Sequence, residues 1–239
     1  MSPMGRMGRP PPAIVPPHLR CDVPTALFGG TFDPVHAGHL GVAQALLASG
    51  RVRQVLFVPA GAPPHKLGRP LTDARHRLAM LALAVGADPR LGVSPCELER
   101  AGPSYTLHTA RHFREVFGPR LRLVLGADSL RDLHLWYEAA TLVRENRFLV
   151  YRRPGCRLPA AATLRRQFGA AGAAKLRAGV VRGPRFAVSS SALRAALAAG
   201  NAPATLLPPA VHAYITANRL YETGSPPPAT KGEKWTARQ

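Results

Sequence analysis

Between residues 27 and 40 the chain reads LFGGTFDPVHAGHL, and His36 and His39 stand three positions apart behind a pair of glycines. An apolar run that ends in Gly29-Gly30 and resumes with helical spacing is a strand turning sharply into a helix. The glycines let the backbone turn tightly and approach a ligand closely. The helix start offers unpaired amides and the positive end of its dipole, a combination that binds phosphate. His36 and His39 share one face of the first turn, where both can donate to phosphate oxygens, and Gly38 between them permits close approach. Zinc is the competing use of paired histidines, but it needs further ligands, and no nearby Cys or Glu supplies them. Taken singly, each histidine is as well explained by capping or packing; the pair directly behind a strand and a Gly-Gly turn favours phosphate. Neither GxxxxGK[ST] nor GxGxxG is present, which excludes those two phosphate loops.

Three other segments place polar residues just after apolar runs. VPAGAPPHK (58–66) carries His65 and Lys66 on a proline-fixed loop, either a solvated basic turn or a clamp on a polyphosphate. GADS (126–129) holds Asp128, which can cap a helix or accept hydrogen bonds from ribose hydroxyls. Trp136-Tyr137 follows, and such aromatics either fill a core or stack on a heterocycle. VSSSALR (188–194) leads Ser189, Ser190 and Ser191 into a helix with Arg194 in its first turn, a serine-capped start that also suits an anion. Two phosphate-competent helix starts suggest a ligand with several phosphates.

These segments need elements to position them. Strands are expected at 25–30, 54–60, 91–99, 121–127, 147–153 and 185–189. Helices are expected at 39–50, 73–86, 104–118 (capped by Ser104), 128–136, 190–200 and 208–221. The repeated strand-then-helix order predicts an α/β fold: a doubly wound, Rossmann-like, mostly parallel sheet with helices on both faces. Ligands in such folds lie beyond the carboxyl ends of the strands. Residues 155–184, rich in Ala, Gly and Arg, fit neither template and read as an inserted, partly mobile element. Residues 1–24 and 222–239, rich in Pro and charge, read as flexible extensions around one domain spanning 25–221.

The 239 residues are enough for one large α/β domain, and 46% apolar content supports a sizeable core. The formal charge of +19 is uneven: from Glu145 to Glu222 no acid intervenes. Such a field attracts polyanions, although the preference of Arg over Lys also matches a GC-rich genome. Cys21, Cys96 and Cys156 lie far apart and read as reduced thiols of a cytoplasmic protein. No 18-residue apolar run is present, so no membrane span is expected, and the N-terminus lacks a secretory core.

Taken together, these stretches resemble a known family. GGTFDPVHAGH is similar to the (H/T)xGH signature of the nucleotidylyltransferase superfamily, and VSSSALR to its second signature, usually ISSTxIR. PPHK, PSYTLHT, GADSL, WYEAATL and RRPG resemble, in order and spacing, the bacterial nicotinate-nucleotide adenylyltransferases. The resemblance implies transfer of the adenylyl group of ATP to nicotinate mononucleotide, giving deamido-NAD and pyrophosphate in NAD biosynthesis. It implies that His36, His39 and the Gly29, Gly30, Thr31 and Phe32 backbone hold ATP phosphates, with Ser189, Ser190, Ser191 and Arg194 at the triphosphate end. It puts Lys66 near the phosphates, Thr106, Trp136 and Tyr137 around the nicotinate, Asp128 on a ribose, and Arg153 on the mononucleotide side. His36, His39, Lys66 and Arg194 are the catalytic candidates. Two departures remove possible side-chain contacts: Ala60-Gly61-Ala62 where the family often has Asn, and Ala127 where Gln or a similar residue is common.

The reaction implied needs no general base, because the attacking phosphate is already an anion; positioning and charge neutralisation suffice. Mg²⁺ is expected to arrive with ATP, since no carboxylate cluster is present to cage it. Sister transferases using nicotinamide mononucleotide, phosphopantetheine or FMN are the nearest alternatives. Nucleic-acid binding is disfavoured, since no aromatic-interleaved basic stripe is present, and an aminoacyl-tRNA synthetase reading lacks a KMSKS-like motif. The sequence leaves a homo-oligomer open.

Overall fold

A computed structural model describes residues 14–63, 71–86, 88–152, 155–202 and 204–222. Six strands form one sheet: β1 (Thr25–Gly30), β2 (Gln54–Pro59), β3 (Leu91–Val93), β4 (Leu121–Gly126), β5 (Phe148–Arg152) and β6 (Val180–Arg182). Their order is β3-β2-β1-β4-β5-β6, and all five pairings are parallel. The order reverses between β1 and β4, which places a crevice beyond the ends of those two strands.

The helices are α1 (Ala37–Ala48), α2 (Ala74–Val85), α3 (Thr106–Phe117), α4 (Ala127–Asp132), α5 (Ala139–Glu145), α6 (Ala161–Ala178), α7 (Ser190–Ala198) and α8 (Pro209–Ala217). Alternation along the central strands explains why both faces need covering. In β1, Leu27 enters one core cluster and Ala26 the other; in β2, Leu56 and Val58 face one way, Val55 and Phe57 the other. Phe113 and Phe117 of α3, Leu142 of α5 and Leu176 of α6 close the first cluster. Leu46 of α1, Met80 and Leu81 of α2 and Ile215 of α8 close the second. Every residue of β2 is buried, as a central strand of a doubly wound sheet must be.

Several expectations are corrected. The sixth strand is Val180–Arg182, not 185–189, which pairs with no strand. Residues 155–184 hold α6 and β6 rather than an unassigned insertion, and α6 is interrupted at Gly169, where φ is +72°. The 91–99 strand shortens to Leu91–Val93. The 128–136 helix divides into α4 and a 3₁₀ turn, Leu133–Leu135. Ser104 does not cap α3; Tyr105 holds that position.

Within residues 14–24, Leu19 is buried against Gly92, and His18 Nε2 lies 3.0 Å from the Leu91 carbonyl. Gln54 exchanges hydrogen bonds with the Arg20 backbone and bonds the Thr25 hydroxyl. Among the described residues no helix is long and apolar enough to cross a membrane. Cys21, Cys96 and Cys156 are free, and burial pushes the Cys96 thiol up to about 12.

Candidate active site

The site begins where β1 ends. Phe32 adopts a left-handed φ of +48° and is buried, with its ring over Gly30; a Cβ on Gly30 would lie 2.9 Å from that ring. The turn therefore requires a small residue at position 30 to take Phe32 inward. His36 becomes the N-cap of α1, and its backbone N–H donates to His39 Nδ1 at 3.3 Å. The two imidazoles stack with centroids 3.8 Å apart, and the edge of Phe32 abuts His39 at 5.0 Å. With Nδ1 accepting, the proton of a neutral His39 ring sits on Nε2, the nitrogen available to donate to a ligand.

The second signature is laid directly over the first. Val188 packs on Gly38 and Phe186 on Gly41, each where a Cβ would collide. This explains why 185–189 is extended without belonging to the sheet: it lies along α1. Ser189 caps α7 by accepting from the Ala192 amide at 3.2 Å. Ser190 Oγ donates to the Pro34 carbonyl at 3.0 Å, and Arg194 Nη1 donates to the Asp33 carbonyl at 2.6 Å. Ser191 is exposed at the helix start. Two helix N-termini thus meet at one loop, although Ser190 and Arg194 each spend a hydrogen bond on holding it.

Beneath the loop sits a charged hub. The buried Asp33 carboxylate accepts from the Tyr221 hydroxyl at 2.7 Å and the Thr72 amide at 3.3 Å, with Arg194 4.0 Å away. Burial, then the Asp33 charge, raises the Tyr221 hydroxyl above its ordinary range. Arg77 of α2 is 2% exposed and reaches three carbonyls: Ala60 at 2.7 Å, Thr72 at 2.9 Å and Thr31 at 3.0 Å. It ties the loop after β1 to the loop after β2.

A cavity of about 540 Å³ opens beside this loop, beyond the ends of β1, β2 and β4. Gly29, Gly30 and Thr31 form one wall; Thr106, Trp136 and Tyr137 form another. Asp128 is exposed in the first turn of α4 and does not line this cavity, whereas its neighbour Ser129 does. Lys66 and Arg153 lie outside the described residues. The structure therefore brings together His36, His39, the β1 turn, Ser190 and Arg194, and separately places Thr106, Trp136 and Tyr137 around the cavity.

Comparison with known proteins agrees with this geometry. The cytidylyltransferase-like family model matches residues 27–196, more than half of the chain. A probable nicotinate-nucleotide adenylyltransferase of Symbiobacterium thermophilum is 40% identical over 200 residues, covering 83% of this chain and 95% of that protein. Its counterpart in Moorella thermoacetica is 38% identical over 197 residues, covering 82% and 90%. The chain belongs to the nicotinate-nucleotide adenylyltransferase family. The fold is also that of a solved Plasmodium falciparum nicotinic acid mononucleotide adenylyltransferase complexed with NaAD, with a TM-score of 0.64 at 20% identity, covering 82% of this chain and 96% of that one.

In this member of the adenylyltransferase family, several residues around the site escape a motif reading. Tyr105 stacks on Tyr137 at 4.3 Å, and His108 meets both edge-on, so the cavity mouth is an aromatic cluster rather than a Trp-Tyr pair. Arg77 carried a signal: an arginine three and four positions before Met80 and Leu81 lies on the apolar face of its helix. Asp33 carried one too, as an acid inside an otherwise apolar and glycine-rich turn.

Glu97, lining the same cavity, carried none. It is 7% exposed, and it accepts from the Thr109 hydroxyl at 2.6 Å and from Ser104. The Ser104 oxygen also accepts from the Gly61 and Ala62 amides at 3.1 and 3.2 Å. Gly61 packs so closely on the Glu97 carbonyl that a Cβ there would collide. Here a hydroxyl and backbone amides fix the loop after β2.

Burial raises the Glu97 carboxyl above the usual carboxylate range, and the two hydroxyls oppose it without prevailing. A raised folded value means that the folded chain holds the proton more tightly. The resulting stability is present below pH 4.5, the ordinary value, and is lost as pH rises through the folded value. The melting temperature of the wild type should therefore decline relative to Glu97→Gln as pH rises from 4 towards 8. A constant difference between the two would remove Glu97 as a group that titrates on folding.

Proposed function

We propose that this chain transfers the adenylyl group of ATP to nicotinate mononucleotide, giving deamido-NAD and pyrophosphate. The observation that carries the reading is the convergence of two helix N-termini, α1 and α7, on one glycine-turned loop beside an aromatic-walled cavity. One half suits a triphosphate and the other a nucleotide base bearing a planar ring. Family membership supports the same pairing, and solved relatives of this fold are complexed with NaAD and with APC.

In this reading the mononucleotide phosphate attacks the α-phosphorus in line, the bond to the bridging oxygen breaks, and pyrophosphate leaves with its electron pair. His39, through Nε2, and His36 donate to phosphate oxygens as charge builds, and the α1 and α7 amides with Arg194 hold the leaving end. Thr106, Trp136 and Tyr137 orient the nicotinate, with Asp128 on the ribose side. ATP enters as its Mg²⁺ complex. Among the described residues no group of three or more His, Cys, Asp or Glu could hold a metal ion, and in this reading the ion travels with the nucleotide. Lys66 and Arg153 complete the proposed cation set, and the setting proposed is the cytoplasm.

A pyrophosphate-release assay with a panel of acceptors tests the reading. Nicotinate mononucleotide should react at least about tenfold faster than nicotinamide mononucleotide, because donors aimed at a carboxylate lose a charge-assisted bond with the amide. Phosphopantetheine and FMN should release no pyrophosphate. A preference for the amide would reject the substrate assignment while leaving adenylyl transfer intact.

A further inference from the structure

A second cavity lies at the opposite edge of the sheet. It is an open recess of about 400 Å³ where β4 and β5 begin, and Arg51, Arg122, Arg147 and Lys175 line it together with Phe148 and Gly179. Arg51 follows α1, Arg122 is the second residue of β4, Arg147 precedes β5, and Lys175 lies in the last turn of α6. The catalytic loop sits at the other end of these strands, about 20 Å away for six residues of strand.

Among the described residues no acid lines this recess. Arg20, Arg75, Arg90 and Arg111 each have a carboxylate partner elsewhere. None of the four cavity cations forms an ion pair among the described residues. For three of them the acceptors are neutral carbonyls: Ala178 for Arg51 at 2.6 Å, Val143 and Arg144 for Lys175 at 2.7 Å, and Pro119 for Arg122 at 3.0 Å. Such bonds hold the side chains in place without neutralising them, and leave further N–H donors on each. Burial, then the Arg147 charge, lowers the Arg122 guanidinium from its ordinary value. Lys175 is lowered by burial, then by Arg114 and Arg147. Like charges gathered in a recess and held by carbonyls are poised for an anion that relieves their repulsion.

We propose that this recess is a second anion site, for a small ligand carrying two or more phosphate groups. The four cations surround one open recess of nucleotide scale, with Arg51 and Arg147 exposed at it, and among the described lining residues the aromatic one, Phe148, is buried and presents no platform for stacked bases. That favours a compact polyphosphate over an extended nucleic acid. Occupancy would join the α1–β2 turn, the starts of β4 and β5, and the α6–β6 turn. The inference stands apart from the transferase reading and would survive its failure.

Calorimetric titration of sodium tripolyphosphate at 0.15 M salt, without Mg²⁺, tests it on the wild type and on Arg122→Gln/Arg147→Gln. The double variant should show one fewer binding site, or that site weakened by about tenfold or more, with pyrophosphate-release turnover within about twofold. Relief of repulsion should leave its melting temperature unchanged or higher; were it to fail to fold, Arg51→Gln, at an exposed position, gives the same reading. Equal affinity for ATP and tripolyphosphate at the recess identifies a site that reads phosphates alone, and tighter ATP binding one that takes a nucleotide. Identical isotherms for wild type and variant would overturn the proposal, as would a difference seen only with a 20-nucleotide RNA.

Discussion

His39→Ala should lower turnover about a hundredfold while the protein still folds. One donor aimed at charge that grows in the transition state is worth about 3 kcal/mol, and each 1.36 kcal/mol is a factor of ten. The structure gives this expectation a direction. His39 is half-buried with Nδ1 turned back onto the His36 amide, so its outward donor is Nε2. His39→Gln can place an amide N–H near that position and should recover part of the loss; His39→Asn, one carbon shorter, should recover less. The chain itself should survive, because the fixed turn depends on Phe32, Asp33 and Arg77 more than on His39. Steady-state pyrophosphate release alongside thermal melts checks both halves. Near-normal turnover in His39→Ala would remove His39 from the reaction.

Arg77→Met should produce the largest loss of stability of any single substitution near the site. The guanidinium is 2% exposed and satisfies the carbonyls of Thr31, Ala60 and Thr72. Methionine fills most of the volume but donates nothing, which leaves three acceptors without that partner and removes a cation from the neighbourhood of buried Asp33. Breaking such an arrangement costs about 3–5 kcal/mol, which in a chain of this size lowers the melting temperature by roughly 10 °C. Arg77→Lys keeps the charge but cannot reach three carbonyls from one ammonium, and should recover only part. Turnover should fall as well, because the two loops proposed to hold substrate would lose their common anchor. The check is a melt with the catalytic assay run well below the melting point. An unchanged melting temperature in Arg77→Met would mean that these three bonds contribute nothing net. Arg77 touches no reacting atom in this account; it positions those that do.

The parts of the fold read most easily from the sequence were those set by local pattern. The strand-to-helix switch after β1 and the serine-capped start of α7 show in residues adjacent in the chain, and spacing reveals them. RFAVS, 185–189, misleads for a physical reason. It alternates like a strand, yet the alternation serves packing on α1, with Phe186 over Gly41 and Val188 over Gly38. Residues 161–178 lack a clear apolar stripe because α6 is broken at Gly169 and buries little beyond Leu164, Gly172, Ala173 and Leu176. Ser104 looks like a helix cap from its neighbours, but its oxygen is claimed by amides some forty positions earlier. The candidate site divides the same way. Motif spacing supplied the residues proposed to face a ligand, whereas those that hold the loops, Arg77, Asp33, Glu97 and Tyr221, work through partners remote in sequence.

Asp33 makes the point about distance concrete. Its contacts come from residues 39, 161 and 188 positions further along the chain. The turn lies close to the N-terminus, but its shape is settled only when Tyr221, beyond the last helix, has arrived. On a ribosome the β1 turn emerges before all three of these partners and would wait, incompletely fastened, until residue 221 has been made. A fragment that stops before Arg194 and Tyr221 lacks two of the contacts that fasten this loop, whatever signature it contains.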